Sequence, residues 1–188
     1  MQAIDKQHFS HEEYFALEEQ EQIRYEYMAG EVFAMTGGTV KHSLISVNCL
    51  SSLANLFKNT QCNVFNSDLK LKIPEHDKFC YPDVMLLYKD TSQSNFIEEP
   101  ELIIEVLSES TESYDRGLKF EHYRSIKKLK YYLLVSQERV HVELYFRQDE
   151  KHWILSEFTE MDESIKLDKW QMNLPLSEIY YHIDFNQE

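Results

Sequence analysis

The run Leu102-Ile103-Ile104-Glu105-Val106-Leu107 is apolar at every position but one. Pro100 precedes it and Ser108, Ser110 and Thr111 follow, so the pattern predicts a short buried strand. A second greasy run, Val84-Met85-Leu86-Leu87, opens behind Pro82-Asp83. Near the start, Ser10-His11-Glu12-Glu13 predicts a helix to about residue 21, with Ser10 as cap and Glu13 at the capping-box position. Residues 25–28 and 31–35 flank Ala29-Gly30 as a hairpin. Over 39–59, Leu44, Ile45, Val47, Leu50, Leu53, Ala54 and Phe57 recur on one helical face. Residues 62–73 and 79–88 read as strands joined at Pro74-Glu75-His76-Asp77, and 89–99 as a polar loop. After the Glu105 strand come a helix near 116–126, an apolar strand at 131–135, and a hairpin of 140–147 with 153–159. A short helix over 175–182 ends the chain.

This order predicts an α/β (α+β) fold. The helix between the Glu105 and Tyr131 strands makes a crossover, so those two strands should run parallel in one sheet. With 188 residues, 43% of them apolar, the chain can bury one core, and we expect a single domain over 1–188. Within it, the N-terminal helix and hairpin fall at about 10–36, the central core at about 40–136, and the C-terminal hairpin and helix at about 139–183. No apolar run approaches the ~18 residues of a membrane span. The polar, acidic start speaks against a secretory signal. Cys49, Cys62 and Cys80 are odd in number and lack CxxC spacing, which suits free thiols in a reducing cytoplasm and not a zinc site.

A net charge of −14 argues against non-specific coating of nucleic acid, which Lys and Arg drive. The charge is uneven. Residues 116–130 hold Arg116, Lys119, Arg124, Lys127, Lys128 and Lys130 against Glu121 alone. That suits a protein meeting DNA at one basic face, and equally an ordinary soluble surface.

Burying an ionised carboxylate costs several kcal/mol unless a cation or donors meet it. Asp83 and Glu105 each sit on a greasy strand, and on neighbouring strands they could converge on one metal ion. The Val106 carbonyl could add a third oxygen. Lys119 is the candidate cation on the next helix; Tyr123 shares its face and Arg116 lies one turn earlier. Phosphodiester hydrolysis needs such a set: a metal against developing charge, an activated water, and a cation near the phosphate. The plainer readings are a Glu105 paired with Lys119 or Arg116 without metal, and an Asp83 that is a turn acid after Pro82. Gly37-Gly38 reads as a turn, since no GKS or GKT follows, and GxSxG, HExxH and EF-hand patterns are absent from the sequence.

Asp83, Glu105-Val106-Leu107 and Lys119 resemble the core of the PD-(D/E)xK nuclease superfamily, closest to its Uma-type branch of endonucleases. The matching stretches are Tyr27–Val32, Met35-Thr36-Gly37-Gly38, His42, Ser67–Lys70, Tyr81–Val84, Ile104–Ser108 and Tyr114–Phe120. The resemblance implies a restriction-endonuclease-like central mixed sheet flanked by helices, with an additional β-hairpin. It implies a magnesium- (or manganese-) dependent endonuclease acting on DNA as a homodimer. Metal would sit on Asp83, Glu105 and Val106; catalysis would fall to Asp83, Glu105, Lys119 and Glu31. His42, Asp68, Arg116 and Tyr123 would support the site or contact phosphate. One departure stands out. Leu107 occupies the place of the usual lysine two residues after the acid, and Lys119 inherits its role. Two other readings compete: a catalytically inactive nucleic-acid-binding or accessory domain, and a metal-dependent hydrolase of small phosphoesters.

Overall fold

In the computed structural model, which describes residues 8–35, 37–89 and 94–185, α1 spans His11–Glu21. Its start is the expected capping box: the Ser10 hydroxyl accepts from Glu13 N–H and the Glu13 carboxylate accepts from Ser10 N–H. The hairpin follows as β1 (Tyr25–Met28) and β2 (Glu31–Ala34). Ala29 and Gly30 both take positive φ, 46° and 93°, as a two-residue hairpin turn demands. Helix α2 (Val40–Phe57) is capped by the Thr39 hydroxyl. Thr36 and residues 90–93 of the expected loop lie outside the described residues.

Then come β3 (Cys62–Asn66), β4 (Lys70–Ile73), β5 (Lys78–Cys80), β6 (Val84–Tyr88), β7 (Phe96–Ile97) and β8 (Leu102–Leu107). The two strands expected over 62–88 are therefore four. Asp68 N–H donates to Asn66 Oδ1 in a local turn, and Pro82 brings no N–H to a ladder, so each run breaks and serves two sheets. The 89–99 loop carries the short β7. Beyond β8, a helical segment α3 (112–123) contains a widened π turn at Asp115–Lys119. It starts and ends earlier than expected, so Ile126 and Leu129 pack into the core beyond its end. The chain continues with β9 (Tyr131–Ser136), β10 (Val142–Arg147), β11 (Trp153–Phe158), β12 (Ser164–Leu167), β13 (Met172–Pro175) and α4 (Leu176–Ile179). The β12–β13 hairpin was not anticipated.

The central sheet has the order β11-β10-β9-β8-β6-β3. It is mixed: β8 and β9 run parallel through the α3 crossover, as expected, and its other pairs are antiparallel. A second sheet, β2-β1-β5-β4-β7, absorbs the N-terminal hairpin. Alternation along β8 divides the core. Ile104 and Val106 pack with Ile45, Cys49, Leu53 and Phe57 of α2. Ile103 and Leu107 face the other way, toward Tyr123 of α3 and Leu71, Ile73 and Cys80 of the second sheet. Glu105 shares this latter face, so its carboxyl is committed to the layer between the two sheets.

Candidate active site

Asp83 stands one residue before β6. The register that pairs Val84 with Ile104 carries it opposite Glu105, where side chains on one face are neighbours. Val106 N–H donates to Asp83 Oδ2 at 2.8 Å, so the backbone next to Glu105 holds the other acid in place. Both acids, Val106, Lys119 and His42 line one cavity of about 640 Å³.

Glu105 is 3% exposed and met by two donors. Lys119 Nζ lies 2.8 Å from Oε1, and the Tyr123 hydroxyl donates to the same oxygen at 2.7 Å. Both donors therefore fall on Oε1, and neither on Oε2. The Lys119 ammonium also lies 3.2 Å from Asp115 and 3.9 Å from Glu26. The π turn brings Asp115 and Lys119 inward together, both buried. Burial pushes the Glu105 carboxyl up, to about 8, against the pull of Lys119. Burial also opposes the Lys119 charge, but Glu105, Asp115 and Glu26 more than reverse it and hold the ammonium charged.

His42, on the first turn of α2, sets Nε2 3.4 Å from Asp83 Oδ2. That contact raises the imidazole above the ordinary histidine value despite burial. A Cβ on Gly38 would come 2.9 Å from His42 Nδ1, so glycine lets the loop close over this ring. Gly37 and Gly38 thus form cavity wall, and neither lies in a turn, contrary to the sequence expectation.

The structure relocates several expected residues. Glu31 is exposed at the start of β2 and is not part of the cavity; the hairpin acid that reaches Lys119 is Glu26. Asp68 is a surface turn residue paired with Arg24 at 3.1 Å. Arg116 is bound by Glu112 and Glu143, away from the cavity lining. Tyr123 donates to Glu105 from behind and is fully buried, out of reach of a phosphate in the cavity. The basic stretch is not one open face: Arg116 and Lys128 have carboxylate partners and Lys119 is internal. Glu26, Asp115 and the pair Tyr114–Lys78 behind them were not anticipated.

The cavity carries six carboxylates, Glu26, Asp83, Glu105, Glu109, Asp115 and Glu138, against one lysine. Oxygen donors with excess negative charge fit a hard divalent cation such as magnesium or manganese. Elsewhere among the described residues, His141, Glu143 and Glu157 bring ligand atoms within 4.8 Å of one another. There Arg116 already neutralises Glu143, so that trio reads as an ion network.

Fold and site together define a restriction-endonuclease-like protein. Residues 11–176 match the family model described as "Uma2: Putative restriction endonuclease", and the chain belongs to that family. Two relatives come from Synechocystis sp. (strain ATCC 27184 / PCC 6803 / Kazusa). Uncharacterized protein slr1290 is 39% identical over 155 residues, covering 81% of this chain and 82% of its own. Uncharacterized protein sll1609 is 35% identical over 150 residues, covering 77% and 84%. A crystal structure described as a putative nuclease belonging to DUF820, from Anabaena variabilis ATCC 29413, superposes with a TM-score of 0.69. It covers 85% of this chain and 90% of that one at 18% identity, and so shares the fold. Among the described residues, no helix is long and apolar enough to cross a membrane.

Proposed function

We propose that this protein is a divalent-metal-dependent endonuclease that hydrolyses phosphodiester bonds of DNA. The observation that carries the reading is the placement of Asp83 opposite Glu105, with Lys119 bonded to Glu105, in one acidic cavity. Asp83, Glu105 and the Val106 carbonyl would hold magnesium or manganese, which supplies Lewis acidity toward the phosphate and a more acidic water. The protein's own contribution is orientation and charge. Tyr123 and Lys119 fix Glu105 through Oε1; Val106 N–H and His42 fix Asp83. Lys119 stands ready to donate to the attacked phosphate or to the attacking water, stabilising charge that develops as the P–O bond breaks. Because a duplex break needs two cuts, we read the duplex-cutting form as a homodimer, which sedimentation would test.

The primary test is cleavage of supercoiled plasmid and of single-stranded DNA with magnesium or manganese, comparing wild type with Asp83→Ala and Glu105→Ala. Cleavage lost in both variants is expected; cleavage kept in both would sink the reading. The non-catalytic alternative draws on the acid-rich cavity and the −14 charge. Manganese calorimetry separates the two, since a non-catalytic domain has no need of the ion.

A further inference from the structure

Three acids compete for one ammonium. Lys119 Nζ is 2.8 Å from Glu105, 3.2 Å from Asp115 and 3.9 Å from Glu26. Glu26 is nearly as buried as Glu105, yet its contact is the long one. Its Oε2 is engaged elsewhere. The Tyr114 hydroxyl donates to it at 3.1 Å, and the Lys78 ammonium donates to that hydroxyl.

Lys78 is 1% exposed, a burial that requires its charge to be met. It sits on β5 opposite Met28 of β1, so it shares a sheet face with Glu26 two residues away. The Glu26 charge is thus balanced by Lys78 through one hydroxyl. Neither Lys78 nor Tyr114 lines the cavity, so neither can touch a substrate there.

We propose that Tyr114 is a positioning residue: with Lys78 it holds Glu26 off Lys119 and so keeps the Lys119 ammonium on Glu105, facing the cavity. Its catalytic meaning rests on the nuclease reading above, whereas the competition among the three acids does not. Without the hydroxyl, Glu26 loses its donor and Lys78 its acceptor, and Lys119 moves toward Glu26. Glu105 then loses its internal counter-charge and becomes the stronger ligand for an added dication. A reacting phosphate, by contrast, loses its ammonium. The two effects have opposite signs, and a general packing defect would lower both properties together.

The test is Tyr114→Phe in the full chain, read by crystal structure, manganese calorimetry and plasmid cleavage. The expected structure has Lys119 Nζ closer to Glu26 than to Glu105. Manganese binding should tighten a few-fold while kcat falls about tenfold at unchanged KM, the signature of a misplaced group used in the transition state. The loss should shrink in the Glu26→Gln background, because the competing charge is gone. Lys119 remaining on Glu105 would overturn the proposal, as would a joint fall in manganese affinity and kcat. A wild type that does not cleave would count against the nuclease reading alone, since the Lys119 position and the manganese affinity still decide this one.

Discussion

The Lys119 ammonium meets Glu105 Oε1 at 2.8 Å from a helix in the next element of the chain, and the two form the centre of the site. Removing one side of a buried pair leaves the other uncompensated. Lys119→Met should therefore lower the stability of the metal-free protein by about 3–5 kcal/mol. A second change, Glu105→Gln, should recover part of that loss. Urea unfolding of both single variants and the double gives the coupling; strict additivity would show that the pair is not energetically linked. Cleavage by Lys119→Met should fall by about 10²-fold or more, the scale for losing one charge-stabilising donor.

Glu105 also sets a pH dependence. Its folded carboxyl is raised to about 8 by burial, from an ordinary 4.5. Between those values the folded state keeps a proton that the unfolded state has released. The stability it contributes is thus full below about 4.5 and is lost as pH rises to about 8. A bound dication must displace that proton. Manganese affinity should then rise by about tenfold per pH unit up to about pH 8 and level off above it. Calorimetry between about pH 6 and pH 9 in buffers of different ionisation enthalpy would show the proton release, and a flat affinity would contradict it.

Asp83 and Glu105 were legible because each is an acid on an otherwise apolar strand, where few structural roles exist for one. Lys119 was legible as a cation on the following helix. Glu26 was not. It alternates with Tyr25 and Tyr27 as a solvent-facing polar residue does, and both tyrosines do face the α1 core. What covers its own side is α3, which arrives much later in the chain, and one strand's alternation carries no record of a second layer. Lys78 and Asp115 were hidden for the same reason. The division of 62–88 between two sheets was lost because its breaks, at 67–69 and 81–83, are only three residues long.

That difference between the two hairpin acids can be measured. Glu31 is exposed and outside the cavity, so Glu31→Ala should change stability by no more than about 0.5 kcal/mol and leave manganese affinity unaltered. Glu26→Ala strands the buried Lys78 and should destabilise by about 3 kcal/mol or more. Thermal unfolding of both variants, with manganese titrations of each, would check this. A Glu31 variant with weakened manganese binding would restore the role that the family resemblance implied for it.

His42 reports on Asp83 without any metal present. Its imidazole is raised above the ordinary value chiefly by its hydrogen bond to Asp83. Adding a methyl at Gly38 places a carbon 2.9 Å from Nδ1 and 3.0 Å from Cγ of that ring, too close to remain. The Gly38 backbone is outside the positive-φ region, so alanine brings no backbone strain and the side chain of His42 yields instead. Gly38→Ala should therefore push the ring off Asp83 and return its titration toward that of an ordinary histidine, with little change in stability. Gly37→Ala meets nothing within 4 Å and is the matched control. Imidazole NMR titrations of the two variants would show a lowered His42 midpoint in Gly38→Ala alone. An unmoved midpoint there would mean that Asp83 does not set the charge on His42.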